Sequence, residues 1–314
     1  MSNLQKVAIS IGDLNGIGIQ LALENHHIIK QEIEPIYCID REMLEQASSI
    51  LNIPIPDDFE TLENIGEYFE IEAGVVSSLS GAYSYSSFIR AVELAKDGKI
   101  DAITTLPINK KAWEMAGIEY KGHTDTLRDF FGEDAIMMLG TPNMFVALFT
   151  EHIPLQDVSK SINEMKLTKF LLNFYKNINP TKLVGVLGLN PHAGDDGVLG
   201  DEEQIIQKAI DNANETLGVE IFSSPLVPDI AFTPSMRKKF THFVAMYHDQ
   251  GLAPLKALFF DESINVSLNL PILRTSVDHG TAFDKAYKNA DLSSLSYLNS
   301  IQYIINKGKI WKTV

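Results

Sequence analysis

The chain is poor in cysteine and in positive charge, and both shortages narrow what it can be. A single cysteine, Cys38, among 314 residues excludes an intrachain disulfide and suits a reducing compartment. Its apolar setting, PIYCID, reads as a small buried hydrophobe rather than a nucleophile. Lysine and arginine total 26 against 41 aspartates and glutamates, a formal net charge of −15. That balance argues against a polyanion-binding surface, and so against nucleic acid as a partner. An anionic metabolite would need a local basic pocket. No apolar run approaches the ~20 residues of a membrane span. The opening MSNLQKVAISIGD lacks the basic start, apolar core and cleavage site of a secretory signal, so a cytoplasmic location is expected. Internal repeats, low-complexity linkers, the dinucleotide fingerprint G-x-G-x-x-G and the Walker loop are also missing.

What is present is an ordinary globular balance, 45% hydrophobic and 21% charged, in a chain long enough for two subdomains of ~150 residues each. Short β-type apolar runs at 7–11, 35–39, 102–106, 135–139, 144–150, 183–189, 230–232, 243–247 and 265–268 alternate with helical patterns at 16–24, 41–51, 80–96, 166–177 and 201–215. Leu167, Phe170, Leu171 and Phe174 recur at helical spacing and form one apolar stripe. Phe88, Ala91, Val92 and Ala95 form a thinner one, suited to close packing, and a closing helix at 292–305 carries Leu295, Leu298, Ile301 and Ile305. Alternation of this kind predicts a three-layer α/β/α architecture around a largely parallel sheet. The expected division is a discontinuous subdomain, 1–131 plus 272–314, with a second subdomain, 132–271, inserted into it.

Three histidines follow strand-like runs: His152 in FVALFTEHIP, His192 in LVGVLGLNPHAGDDG and His248 in HFVAMYHDQG. Ligands of open α/β sheets bind beyond the carboxyl ends of the strands. Three imidazoles there could converge on one metal ion and leave a position for substrate. Each alone reads equally as a hydrogen-bonded turn residue, and spacings of 40 and 56 residues exceed any local metal motif. Beside His248, Asp249 could orient a metal-binding imidazole or act as a base, and Lys256 follows.

Other polar turns carry possible chemistry. GDLNGIG, residues 12–18, is a glycine turn opening a helix, with Asp13 and Gly16 as candidate cofactor contacts. In KGHTDTL, His123 and Thr124 begin a helix, where Thr124 can cap it or, with His123 and Lys121, bind an anion. In LPILRTSVDHGTAFD, Arg274 offers a fork for carboxylate or phosphate, or else a surface salt bridge. Residues 280–282 are expected to begin a helix facing a nucleotide. His26 and His27 are expected to be solvated, His242 structural, and the acidic stretch 57–72 a solvated face.

Together IGDLNGIG, KGHTDTL, TEHIPLQDV, LNPHAGDDGVLGDEE, YHDQGLAPLK and LPILRTSVDHGTAFD resemble one family, the 4-hydroxythreonine-4-phosphate dehydrogenases of pyridoxal phosphate biosynthesis. The resemblance spans almost the whole chain. It implies a fold similar to isocitrate and isopropylmalate dehydrogenases, with two subdomains, a cleft, and a homodimer with shared active sites. It implies a divalent metal, zinc or alternatively magnesium or cobalt, on His152, His192 and His248. Substrate contacts would be His123, Thr124, Lys256, Asn265 and Arg274; His279, Gly280 and Asp284 would join Asp13 and Gly16 in touching NAD or NADP. The implied reaction is oxidation of 4-phosphohydroxy-L-threonine to a β-keto acid that then loses CO2, with Asp249 or Lys256 moving the proton. One loop departs: the family's usual GDPAGIGPE reads GDLNGIGIQ, with Leu14, Asn15, Ile19 and Gln20 changed. Competing readings are a paralogue acting on a phosphorylated tetronate, a metal-dependent hydrolase or acyl-phosphate transferase, and a non-catalytic metabolite binder.

Overall fold

The computed structural model describes residues 4–311, with side chains through residue 307. Contacts divide the chain into two compact units. The first contains the residues up to Glu133, Ile264–Val266 and those from Leu270 onward; the second contains Asp134–Ser263 with Ser267–Asn269.

In the first unit the elements are β1 (Gln5–Ser10), α1 (Gly18–Ile29), β2 (Ile33–Cys38), α2 (Arg41–Leu51), α3 (Ser78–Lys96), β3 (Ala102–Thr105), α4 (Lys110–Met115) and α5 (His123–Phe131). The second unit supplies β4 (Ile136–Thr141), β5 (Met144–Leu148), α6 (Val158–Ser161), α7 (Glu164–Ile178), β6 (Val184–Val186), α8 (Glu202–Leu217), α9 (Pro234–Lys239), β7 (His242–Ala245) and α10 (His248–Phe259). The chain then forms β8 (Ile264–Leu268), shared by the two units, and returns to the first through β9 (Leu273–Val277) and α11 (Leu295–Trp311).

Strands of the first unit run in the order β2-β1-β3-β9-β8, and the pairs β1–β2, β1–β3 and β3–β9 are parallel. Alternation along a strand sends neighbouring side chains to opposite faces. Ser10 and Cys38 are register partners, and Ser87 of α3 reaches both: its Oγ lies 3.4 Å from Ser10 Oγ and donates to the Cys38 carbonyl at 2.7 Å. The next pair inward, Ile9 and Tyr37, belongs to the opposite face, where Tyr37 meets His26 of α1. Helices thus cover both faces. Cys38 is fully buried, and burial pushes its thiol up to about 12, so it packs as a hydrophobe.

Strands of the second unit run β4-β5-β7-β6, antiparallel at β4–β5 and parallel at β5–β7 and β6–β7. One face carries Val146, Leu148, Phe243 and Ala245 in a core with Leu252 and Leu255 of α10. Gly251 lets that helix approach, since a Cβ there would lie 2.5 Å from Val146 Cγ1. The other face presents the pair Phe145 and His242, and Phe174 of α7 packs on His242. The apolar period read in α7 is buried at Leu167, Leu171, Phe174 and Ile178, and Asn163 caps its start by accepting from Lys166 N.

Several expectations fail for identifiable reasons. Residues 230–232 form a turn, not a strand, and 280–282 begin no helix; a series of turns occupies 283–289. The segment 273–277 is a buried strand, although its polar LRTSV sequence resembles a loop. In the acidic stretch, Phe59, Ile65 and Phe69 are buried, so it is not wholly a solvated face. His26 is not solvated: it is 1% exposed, with Nδ1 at 2.9 Å from Tyr37 Oη and Nε2 at 3.0 Å from Asp58 Oδ1. Asp58 also pairs with Lys30, and Phe59 stacks on Tyr37 at 3.6 Å. Among the described residues, no helix is long and apolar enough to cross a membrane.

Burial first, then Lys30 and His27, lower the pKa of His26 below its ordinary 6.5. Below that pH the unfolded chain takes up a proton that the folded chain resists, so stability should fall as pH drops beneath about 6.5. His26→Gln should flatten this slope in thermal melts between pH 7.5 and 5; an unchanged slope would assign the effect elsewhere.

Candidate active site

Three neighbouring parallel strands, β1, β3 and β9, end on the same edge of the first unit, and their following loops are tied together. Asp13 N donates to Pro107 O at 2.8 Å, and Ile17 N donates to Thr281 O at 3.1 Å. Gly12 has φ +73°, and a Cβ there would fall 2.3 Å from Pro107 O, so the turn requires glycine. Gly16 is similarly close to Thr281, whose carbonyl would lie 2.9 Å from an added Cβ. Asp13 is fully buried; its Oδ1 accepts from Asn15 N at 3.0 Å, while Oδ2 has no hydrogen-bond partner. His279 and Gly280 lie on the neighbouring loop, with Gly280 facing open space, and Asp284 is exposed in the turn beyond.

The altered residues of this loop have defined partners. Asn15 Nδ2 donates to Val75 O at 2.8 Å, its Oδ1 accepts from Glu72 N at 3.0 Å, and its carbonyl accepts from Gly74 N at 2.8 Å. Gln20 Nε2 donates to Glu24 Oε1 and Ala290 O. Leu14 and Ile19 are fully buried.

Arg274 lies within β9 rather than on a loop, and is 2% exposed. Its Nη2 donates to Thr105 Oγ1 at 2.5 Å and to His123 Nδ1 at 3.0 Å. Burial lowers its pKa to about 9, leaving it a cation at neutral pH. His123 and Thr124 occupy the first turn of α5, both buried; the cap position is Gly122, so Thr124 is not the cap. His123 Nε2 is buried without a hydrogen-bond partner, and its pKa is held well below 6.5 by burial, then by Arg274 and Lys110. Asn265 stands on β8 with its Oδ1 buried and unpartnered. A guanidinium, an imidazole and a hydroxyl withdrawn from water suit the binding of an oxyanion.

In the second unit the carboxyl ends of β5, β7 and β6 are also stitched. Thr150 Oγ1 donates to Met246 O at 2.6 Å, while Gln250 accepts from Met246 N and donates to Gly188 O, each at 2.7 Å. His152 and His248 lie side by side on this edge, ring centroids 5.4 Å apart. Asp249 Oδ1 is 2.7 Å from His248 Nδ1, which leaves Nε2 of that ring for a ligand. Lys256 lies further along α10, its Nζ 5.5 Å above the Phe260 ring.

His192 is not grouped with the other two: among the described residues, no three His, Cys, Asp or Glu side chains form a metal site. It begins a run of left-handed residues, with φ of 54°, 53°, 80°, 45° and 54° from His192 to Asp196. Such backbone is costly for residues other than glycine. The run is anchored by Glu203, in the first turn of α8. Glu203 Oε1 accepts from Leu189 N and Asn190 N at 2.8 and 2.7 Å. Gln250 and Glu203 are the supporting residues that motif reading passes over, though both lie inside motifs it singles out. The donor set of His152 and carboxylate-oriented His248 fits two nitrogen ligands of a divalent cation.

Asp13→Asn keeps the acceptor for Asn15 N and removes a buried acid whose pKa is raised to about 6 by burial. A raised carboxyl pKa costs stability as pH climbs from 3.8 through about 6. The variant should therefore gain ~2–3 kcal/mol at pH 8, with the gain largely gone near pH 4; denaturant titrations at the two pH values measure this.

Comparison with known proteins covers nearly the whole chain. A family model described as pyridoxal phosphate biosynthetic protein PdxA matches residues 31–304. The chain is 58% identical over 304 residues to a 4-hydroxythreonine-4-phosphate dehydrogenase of Sulfurimonas denitrificans, covering 97% of this chain and 98% of that one. It is 51% identical over 304 residues to the corresponding enzyme of Campylobacter fetus, covering 96% and 98%. A crystal structure of 4-hydroxythreonine-4-phosphate dehydrogenase from Klebsiella pneumoniae superposes with a TM-score of 0.81 at 29% identity, covering 96% of this chain and 99% of that one. The chain belongs to the pyridoxal phosphate biosynthetic protein PdxA family.

Proposed function

We propose that the chain is a 4-hydroxythreonine-4-phosphate dehydrogenase. It oxidises 4-phosphohydroxy-L-threonine, with NAD or NADP as hydride acceptor, to 2-amino-3-oxo-4-phosphooxybutanoate, which decarboxylates to 3-amino-2-oxopropyl phosphate. The observation that carries this reading is the Arg274 guanidinium, 2% exposed and hydrogen-bonded to Thr105 and His123. A charge held out of water in that way is suited to an anionic group, and this substrate has two, phosphate and carboxylate.

Roles follow from chemistry. Arg274, His123, Thr124, Asn265 and Lys256 bind the anionic ends and orient the alcohol carbon. Asp13, Gly16, His279, Gly280 and Asp284 serve the dinucleotide, with Gly280 admitting a close approach. His152, His192 and His248 would hold a divalent cation, zinc or alternatively magnesium or cobalt, which when bound supplies Lewis acidity toward the substrate oxygens. Asp249 is engaged with Nδ1 of His248 and fixes that ring. The proton lost by the hydroxyl goes to Asp249, through its second carboxylate oxygen, or to Lys256 Nζ in its neutral amine form. The homodimer with shared sites belongs to the same reading.

Protein supplied with a divalent metal, NAD or NADP and 4-phosphohydroxy-L-threonine should generate absorbance at the reduced-nicotinamide band. No reduction by metallated protein would refute a dehydrogenase; faster reduction with a phosphorylated tetronate would reassign the substrate. Arg274→Ala should lower kcat/KM by about 100-fold, the loss of ~3 kcal/mol of charge-assisted hydrogen bonding. His192→Ala and His248→Ala should each lower bound metal, by elemental analysis, together with activity. Full occupancy in either variant would remove that residue from the ligand set.

A further inference from the structure

The surroundings of His123 say more than that it can touch an anion. Arg274 Nη2 lies 3.0 Å from Nδ1. A guanidinium has only donors, so Nδ1 is the acceptor and the proton of the neutral ring sits on Nε2. That Nε2 is buried and has no hydrogen-bond partner. Two aromatic rings hold the imidazole plane: Phe88 of α3 at 4.5 Å and 69°, and Trp113 of α4 at 5.5 Å and 84°.

Trp113 is held in its turn. It is fully buried, and its Nε1–H donates to Ser84 Oγ at 2.7 Å; Ser84 Oγ donates onward to Gly81 O at 2.9 Å. Helices α3 and α4 touch so closely that a Cβ at Gly81 would lie 2.1 Å from Ala112 O. The small residues of α3, Gly81 and Ser84, thus bring the indole down beside His123. A tryptophan indole has one hydrogen-bonding atom, so its bond to Ser84 fixes both the depth and the rotation of the ring.

We propose that Trp113, fastened by Ser84, is a positioning residue that with Phe88 and Arg274 locks His123 as a neutral Nε2–H donor for an oxygen of the substrate's anionic group. This rests on the reading of His123 as a substrate contact, and it assigns the residue hydrogen-bond donation rather than charge or proton transfer. The charged groups facing His123 are Arg274 from β9 and Lys110 from α4, both cations, and each opposes a second proton on the ring. Protonation would also turn Nδ1 into a donor against the guanidinium. Binding through His123 therefore carries no titration step of its own between pH 5.5 and 8.5, the range in which an ordinary histidine changes charge.

Histidine-selective nitrogen-15 labelling tests this in the intact protein, which has eight histidines. His123 is assigned by the signal lost in His123→Gln. The wild-type signal should keep the Nε2–H tautomer pattern from pH 5.5 to 8.5, and the Nε2 proton should move downfield on adding inorganic phosphate. Trp113→Phe keeps an aromatic ring but loses the bond to Ser84; Ser84→Ala loses the same bond from the other side. Either should raise KM for 4-phosphohydroxy-L-threonine about five- to tenfold with kcat within twofold, and should split the His123 signal or let it titrate. Titration of wild-type His123 near its ordinary value, or an Nδ1–H tautomer, would overturn the proposal. So would an unchanged KM and spectrum in the variants. If Trp113→Phe does not fold, the wild-type spectrum and Ser84→Ala decide. Failure of dehydrogenase activity would leave the spectra of wild-type protein with phosphate to be read independently.

Discussion

Arg274 enters the first unit on a strand, and its guanidinium ends 2% exposed between the Thr105 hydroxyl and the His123 imidazole. Removing such a charge from water costs several kcal/mol unless hydrogen bonds replace its hydration. The surrounding structure supplies those bonds from different elements: Thr105 ends β3, and His123 opens α5. A lysine would present a compact, more strongly hydrated point charge, less suited to burial than a delocalised guanidinium. The parallel pairing of β3 with β9, Ile103 opposite Arg274 and Thr105 opposite Ser276, fixes where the fork is delivered. Folding of the strand and assembly of the anion site are therefore one event.

The same dependence on strand order governs the loops. β1, β3 and β9 are neighbours and parallel, so the loops after Ser10, Thr105 and Val277 emerge together, although nearly the whole chain separates the first from the last. In the second unit, β5, β7 and β6 do the same for the loops of His152, His248 and His192. Each unit uses backbone-directed side chains to fasten its edge: Asn15 in one, Gln250 and Glu203 in the other. These residues help decide where the ligand-bearing turns stand.

Helical periodicity was legible in α7, whose apolar stripe shows directly in the sequence. So was the association of three histidines with strand ends. β9 was not, because three of its five residues are Arg, Thr and Ser, and buried polar strands lack any alternation. Thr275 is fully buried yet satisfied by Thr104 Oγ1 at 3.0 Å, a partner 171 residues away. Long-range satisfaction of that kind leaves no local trace. His26 failed for the same reason, its partners Tyr37 and Asp58 coming from other segments. The pairing of His152 with His248 is equally invisible, since 96 residues separate them, and so is the left-handed course of the backbone from His192 to Asp196.

The altered first loop shows what a departure from a family pattern can mean physically. Gly12 and Gly16 keep contacts that no side chain could share, so the backbone path is constrained regardless of the residues between them. Asn15, by contrast, spends both side-chain atoms on the segment from Glu72 to Val75, and Gly74 in that segment sits where a Cβ would strike Phe283 O at 2.6 Å. The segment is therefore clasped between the first loop and the turn after β9. Tyr287 closes the other side by donating to Leu14 O at 2.6 Å. A small apolar residue at position 15 could not make these bonds, and another element would have to hold residues 72–75. The substitution is thus a change in how the loop is braced around Asp13, whose unpartnered carboxylate oxygen stays buried in the middle of that brace.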